Sequence, residues 1–98
     1  MAAHFAPAFE QCVNGSWIDR AAFMTSMEQL RAEVAQASIT VLDELSDGEH
    51  YAERHRVELL MHDGAMVHQE VYVFAQRDAL GRFVRIEEAT IAVSHLRR

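Results

Sequence analysis

Two short turns of the same form constrain the fold of this chain more than any other feature. Residues 46–48 (Ser-Asp-Gly) and 62–64 (His-Asp-Gly) each end in glycine, which a three-residue hairpin loop favours at its left-handed bulge position. A three-residue loop at 62–64 pairs Leu59 with Val67 and collects the aliphatic side chains of both strands on one face. A one-residue slip scatters them over both faces, which a half-buried sheet disfavours.

Helix signals precede these hairpins. Asp19 is placed as an N-cap, and apolar residues then recur at helical intervals as Phe23, Met27, Leu30 and Val34. We predict a helix over about 20–35 and strands over about 9–13, 38–46, 49–61, 65–77 and 82–93. The chain 1–98 is therefore expected to form a single α+β domain, in which a curved, cone-like antiparallel sheet packs on one main helix.

The last turn predicts which side chains share a row across the sheet. A four-residue loop at 78–81 places Val71 between His55 and Glu88. These two side chains then face one another across about two strand spacings, roughly 10 Å, on an otherwise apolar inner face. A carboxylate in such a setting has a raised pKa and suits acid-base chemistry, with a histidine as its complement.

This arrangement predicts a candidate site. Glu88 and His55 are the candidate catalytic residues, and the candidate ligand-binding residues are Tyr51, Glu53, Gln69, Thr90, Trp17 and Gln11. The alternative, that His55 and Glu88 form a purely structural hydrogen-bonded pair, stays open and is the more frequent arrangement, because structural networks also position titratable groups.

Composition excludes several classes of function. The net charge of −6 argues against nucleic acid or an anionic membrane as a partner, since both select a basic surface. Cys12 is the single cysteine, so no internal disulfide is expected, and the chain suits a reducing cytoplasm. No apolar run reaches transmembrane length. The six histidines lack the spacing of a metal site, and no Gly-rich phosphate loop is present, so we expect neither metal nor cofactor.

The outer face of the predicted sheet mixes charged and apolar side chains. Opposite charges meet there across strands, which favours pairing, and aromatic residues lie among them. Such a mixture suits either a solvated surface or an interface. We expect a homodimer that forms through this face, with Arg54, Arg56, Glu70, Tyr72 and Phe74 as contact residues.

Three segments together resemble a known family. The order FAPAFEQCVNGSWIDRAAF, ITVLDELSDGEHYAERHRVEL and VYVFAQRDALGRFVRIEEATIAV is similar to the SnoaL-like branch of the nuclear-transport-factor-2-like (NTF2-like) superfamily, which also contains ketosteroid isomerase. The resemblance implies a sheet curled into a cone around a pocket capped by helices, and dimers packed through their sheets. Members usually carry a further long N-terminal helix, for which residues 1–5 are the only counterpart here, so a partner subunit is expected to cover the face left open.

The isomerase chemistry does not transfer by position. The resemblance places the family's carboxylate base near Glu10 or Gln11, and its oxyanion-binding acid near residues 72–74, where this chain has no carboxylic acid. Three hypotheses follow. The protein binds a small, largely apolar molecule in the cone; or it is a cyclase or isomerase in which Glu88 or Glu10 moves a proton while His55 or Gln69 stabilises charge; or it is a dimeric interaction module without a ligand.

Overall fold

The computed structural model describes residues 2–93, which form one α-helix and one six-stranded sheet. After a 3-10 turn at Ala2–His4, the elements in chain order are β1 (Phe5–Val13), β2 (Ser16–Asp19), α1 (Arg20–Glu33), β3 (Val34–Ser46), β4 (His50–Met61), β5 (Met66–Arg77) and β6 (Phe83–Ala92). The α+β class is confirmed, and the helix lies within two residues of its predicted end. The sequence prediction missed β2, the first four residues of β1 and the first four residues of β3, of which Val34 and Ala35 were predicted to be helical.

The sheet has the order β2-β1-β6-β5-β4-β3, is curved, and does not close. Strands β3 to β6 form the expected antiparallel meander. Strand β1 runs parallel to β6 and joins the beginning of the chain to its end. The sheet is thus mixed instead of wholly antiparallel, and this parallel pair brings residues of β1 next to the predicted site.

The register between β4 and β5 agrees with the prediction. Leu59 pairs with Val67, and His55 pairs with Val71. Gly64 has φ of 90°, so the turn uses the left-handed conformation that glycine permits. The Asp63 carboxylate accepts a hydrogen bond from the Ala65 amide at 2.9 Å and fixes the loop from inside.

The register between β5 and β6 was predicted wrongly by two residues. Val73, not Val71, pairs with Glu88, and Val71 pairs with Thr90. Two local features add these residues: the loop is longer by one, and a bulge follows it. Asp78 organises the longer loop, because one carboxylate oxygen accepts the amides of Leu80 and Arg82, both at 2.9 Å. From Arg85 onward a shift of two keeps every side chain on its predicted face, whereas Phe83, which precedes the bulge, lies on the inner face beside Tyr51.

Strand β1 begins at Phe5, four residues before the predicted start, and its first half pairs irregularly with β6. Pro7 has no amide hydrogen, and it lies where the register between β1 and β6 shifts, between Phe5 and Glu10. The strand ends in a two-residue turn at Asn14 and Gly15, with φ of 51° and 89°. Positive φ at both positions is typical of the two-residue turn of a tight hairpin. This turn connects β1 to β2.

The helix packs on β1 and β2 through an aromatic cluster. Asp19 caps its start by accepting the Ala22 amide at 2.9 Å. The Phe23 ring then lies 4.8 Å from Phe9 and 4.9 Å from Phe5, measured between ring centroids. These contacts make the core of the molecule and leave much of β3 without a covering element on the helix side.

Candidate functional site

The two faces of the sheet differ in what covers them. We call the face that packs against α1 the inner face, and it includes the buried residues Phe9, Gln11, Val71 and Ala75. The opposite or outer face carries Tyr72 and Phe74 and is largely exposed. Every predicted site residue on β4, β5 and β6 lies on the inner face, because side chains alternate along a strand.

Three of these residues form a continuous polar chain along β4. His55 Nδ1 lies 2.5 Å from Glu53 Oε2. The hydroxyl of Tyr51 donates to the other oxygen of Glu53 and lies 3.1 Å from Glu44 Oε2. The hydrogen bond to Glu53 is the main cause of a raised pKa for Tyr51, followed by burial, so the phenol keeps its proton.

Glu88 lies on β6, two strands away from these three residues of β4. It has a hydrogen-bond partner that the sequence analysis did not assign to it. Gln11 donates from Nε2 to Glu88 Oε2 at 3.2 Å. Burial raises the pKa of Glu88, and the Gln11 hydrogen bond and the charge of His55 offset part of that rise. Glu88 is therefore a half-buried acid that holds its proton more tightly than an exposed glutamate.

The two halves of the site are offset by one row. Val73 lies between Glu53 and Glu88, and Val71 lies between His55 and Thr90. The prediction that His55 and Glu88 share a row is wrong for the reason given for the β5–β6 loop. Their Cα atoms are separated by roughly 12 Å on the diagonal, a distance from which both side chains can reach one small molecule.

Asn14 is a site-supporting residue that the sequence analysis missed. Its side chain accepts from the Thr90 amide and donates to the Thr90 hydroxyl, both at 2.9 Å. Its own amide donates to the carbonyl of Glu88 at 2.9 Å. Asn14 thus holds Thr90 and the strand that carries Glu88 in place, and the hydroxyl proton of Thr90 has no partner among the hydrogen bonds of residues 2–93. The Asn-Gly turn was recognisable from the sequence, but its contacts with β6 were not.

The remaining predicted residues do not join the cluster. Trp17 pairs with Cys12, is exposed and lies on the outer face. Gln69 lies on the inner face opposite Val57, one row beyond His55. Glu10, the alternative base, is exposed and pairs with Arg85 on the outer face.

One side of the inner face is apolar and open. Val41 pairs with His55 and Ile39 pairs with Val57, yet these side chains remain 48 % and 62 % exposed. At another border the Arg77 guanidinium lies 5.4 Å from the ring centroid of Tyr51 and 5.9 Å from that of Phe83. The open route to the His55 side chain therefore runs over the aliphatic side chains of β3.

The outer face carries a groove of about 700 Å³ that runs across five strands, with Leu45, Ala52, Tyr72, Phe74 and Ala89 in its lining. Leu45 and Phe74 are 77 % and 50 % exposed. Charges beside the groove are paired within the chain, Arg54 with Asp43 at 2.6 Å and Arg56 with Glu70 at 3.3 Å. The predicted partner-contact residues therefore lie together on one surface.

The raised pKa of Glu88 makes the folding stability of the protein depend on pH. A carboxyl with a raised pKa in the folded state binds its proton more tightly there than in the unfolded chain, so folding stability falls as pH rises through this range. We expect wild type to lose stability relative to Glu88→Gln from the ordinary glutamate pKa up to the raised folded value, and to stay level above it. Urea unfolding of both proteins at a series of pH values measures this difference; a difference independent of pH contradicts the raised pKa.

Residues 2–93 lack two features that would point to a membrane or to a metal ion. No helix there combines the length and the apolar character needed to cross a membrane. The same residues contain no group of three or more His, Cys, Asp or Glu side chains placed to hold a metal ion.

Comparisons with known proteins identify the fold. No family model and no curated protein matches the sequence. Solved structures do match. An NTF2-like protein of unknown function from Exiguobacterium sp. 255-15 has a TM-score of 0.79 at 15 % identity, covering 94 % of this chain and 80 % of that one. Wild-type IdmH, a candidate polyketide cyclase from Streptomyces antibioticus, has a TM-score of 0.74 at 16 % identity, covering 90 % and 76 %.

A third similar structure is a protein of ketosteroid isomerase-like fold from Catenulispora acidiphila in complex with trimethylamine. Its TM-score is 0.72 at 9 % identity, covering 89 % of this chain and 69 % of that one. At such identities the likeness establishes the fold alone. The chain has the NTF2-like α+β fold, and the resemblance noted from its sequence is confirmed at that level.

Proposed function

We propose that this protein binds a small, largely apolar molecule on the inner face of its sheet. The observation that carries the proposal is the position of two polar atoms, Glu88 Oε1 and His55 Nε2. Neither has a hydrogen-bond partner within residues 2–93, whereas Glu88 Oε2 accepts from Gln11 and His55 Nδ1 lies 2.5 Å from Glu53 Oε2. Val71 and Val73 of β5 form an apolar surface between the two side chains. Polar groups at the border of an apolar surface are suited to orient a ligand.

The open aliphatic border supports the same proposal. Val41 and Ile39 stay exposed beside His55, so an apolar molecule reaching the polar pair covers surface that is otherwise in water. Similar structures support a small-molecule ligand, since one is a candidate polyketide cyclase and another, of ketosteroid isomerase-like fold, is in complex with trimethylamine.

A suitable probe is 2-tetralone, a compact bicyclic ketone. Its rings match the aliphatic floor, and its carbonyl oxygen can accept a hydrogen bond from Glu88 at a pH low enough for this carboxyl to hold its proton. We expect wild type to bind 2-tetralone in titration calorimetry. Glu88→Ala should weaken binding by about 5- to 10-fold, the effect of losing one hydrogen bond of roughly 1 kcal/mol.

The neighbouring residue supplies the control. Glu87 is the same amino acid on the same strand but faces the outer side, and it pairs with Phe74. Glu87→Ala should leave the dissociation constant of 2-tetralone unchanged. Equal effects of the two substitutions, or no binding by wild type, would contradict the assignment of the ligand to the inner face.

We also propose that two copies of the chain associate through their outer faces. Leu45, Tyr72 and Phe74 form an apolar strip there, and the flanking arginines are already neutralised by acids of the same chain. Five strands of about ten residues present roughly 600–800 Å², close to the ~800 Å² that each partner buries in a standard interface. In the dimer this strip is buried, which explains why aromatic side chains lie on a face that is exposed to water in the monomer.

A further inference from the structure

We infer that the free edge of β3, the side that faces away from β4, binds an extended segment of another protein. The segment adds to the sheet as a seventh strand, antiparallel to β3. It has aliphatic residues at alternate positions, no acidic residue, and arginine or lysine at its N-terminal end. The inference does not depend on the proposed function, because it uses only backbone groups and side chains of β3.

The two edges of the sheet differ in length. Strands β2 and β3 are the first and the last in the sheet order. The β2 edge has four residues, and an edge this short offers few backbone groups for pairing. The β3 edge has 13 residues, and within residues 2–93 β3 pairs only with β4. Its other side therefore presents a row of backbone N–H and C=O groups to which a further strand can bind.

The middle of β3 lacks the features that usually protect an edge strand, which are charged side chains, proline and bulges. Residues 34–42 (VAQASITVL) contain neither a charge nor a proline. The register with β4 is continuous from Gln36 to Val41, and both irregularities of β3 lie outside this stretch. Every residue from 35 to 41 is exposed. A regular strand of about six residues, roughly 20 Å long, can therefore pair with residues 36–41.

The side chains of this stretch specify the sequence pattern of the partner. Ile39 and Val41 point to the inner face, and both remain exposed there. Ser38 and Thr40 alternate with them and point to the outer face. Side chains of an added strand contact the residues directly opposite on the same face. A partner with aliphatic residues on the inner side and hydroxyl residues on the outer side therefore removes the apolar side chains of β3 from water.

Charge favours a different protein over a second copy as the occupant. The C-terminal end of β3 carries Asp43 and Glu44, and Asp47 and Glu49 follow in the next turn. Strand β3 itself contains no lysine or arginine, so a second β3 brings no cation to these acids. A strand with arginine or lysine at its N-terminal end places that charge beside Glu44 when it pairs antiparallel to β3. Antiparallel pairing is also the more stable of the two strand arrangements.

A synthetic peptide, Arg-Arg-Val-Thr-Val-Thr-Val-Thr with a fluorophore at its C-terminal end, has this pattern and serves as the probe. Its arginines lie beside the acidic end of β3, and its valines lie opposite the inner-face residues Val41, Ile39 and Ala37. We expect saturable binding when fluorescence anisotropy follows the titration of the peptide with the wild-type chain. A peptide with two glutamates in place of the arginines should bind at least about 10-fold more weakly, because like charges then meet. Equal affinities of the two peptides contradict the charge assignment.

Methylation of the peptide amides distinguishes strand addition from unspecific adhesion. Successive N–H groups of a strand point to opposite edges, so either the valine amides or the threonine amides of the probe face β3. N-methylation of the three amides that face β3 should weaken binding at least about 30-fold, and methylation of the other three should change it by no more than about threefold. Equal losses in both methylated peptides, or a loss in neither, overturn the inference.

Ile39→Asp tests which strand the peptide binds. The added carboxylate attracts the arginines of the probe, but it removes an apolar contact and loses water when the strands pair. We expect about 10-fold weaker binding. Ile91→Asp is the matched control, because Ile91 is an exposed isoleucine on β6, which lies between β1 and β5. It should bind the peptide as wild type does. Tighter binding by Ile39→Asp, or equal weakening by both variants, contradicts pairing at the β3 edge.

The remaining outcomes decide which partner occupies the edge. Absence of binding by wild type at protein concentrations up to about 1 mM overturns the inference. Phe74→Arg removes the proposed outer-face contact between two copies. If that variant still sediments as a dimer and the further substitution Ile39→Asp returns it to monomers, the edge binds a second copy and the inference is wrong. If circular dichroism shows that Ile39→Asp does not fold, the two methylated peptides decide the question with the wild-type chain.

Discussion

Replacement of Phe9 with alanine should lower the free energy of unfolding by about 3–5 kcal/mol, the usual cost of deleting a buried aromatic side chain. Phe9 is 1 % exposed, the least accessible large side chain among those described. Its ring contacts Phe5 and Phe23, both at centroid distances of 4.8 Å. The substitution therefore leaves a cavity where α1 meets β1, which is the principal contact of the helix with the sheet.

Urea unfolding followed by circular dichroism measures this loss, with the midpoint and slope fitted together. Leu80→Ala is the control, because Leu80 is 77 % exposed in the β5–β6 turn and should change stability by no more than about 0.5 kcal/mol. A loss below about 1 kcal/mol for Phe9→Ala contradicts the aromatic cluster as the core, since values this small are typical of surface positions.

Replacement of Phe74 with arginine should convert the proposed dimer to monomers. Phe74 lies in the outer-face groove between Ala52 and Glu87, at the centre of the apolar strip. Two arginines brought together there repel one another and must lose water, and a disruption of this kind at an interface centre costs about 2–4 kcal/mol. The dissociation constant should rise by about 30-fold or more. Sedimentation velocity over a range of protein concentrations measures the shift.

Ala79→Arg is the matched control. Ala79 is exposed in the β5–β6 turn and lies away from the strip, so the same added charge should leave the wild-type sedimentation unchanged. A wild-type protein that sediments as a monomer at every concentration contradicts association through the outer face. The inner-face proposal does not depend on that result, because the groups it uses all belong to one chain.

Most of the fold followed from local sequence features. The Asp-Gly turn at 62–64 specified the β4–β5 register, because only one loop length puts the aliphatic residues of both strands on one face. The β5–β6 register failed because Asp78 binds two amides of its own loop. A side chain that folds a longer turn competes with the shorter turn that spacing alone suggests.

The candidate site was predicted in part, because side chains alternate between the two faces along a strand. Glu88 and His55 were placed on the correct face, since a register error of two residues preserves alternation. The Gln11–Glu88 hydrogen bond joins residues 77 positions apart through the parallel β1–β6 pair. Nothing local to β1 indicates that partner, and the contacts of Asn14 with Thr90 were missed on the same ground.

The location of a bound ligand tests the central claim most directly. Nuclear Overhauser contacts between 2-tetralone and the methyl groups of the protein distinguish the two faces of the sheet. We predict contacts with Val71, Val73 and Val41, which lie beside His55 and Glu88 on the inner face. Contacts confined to Leu45 and Ala89 would place the ligand in the outer groove and contradict the proposed function.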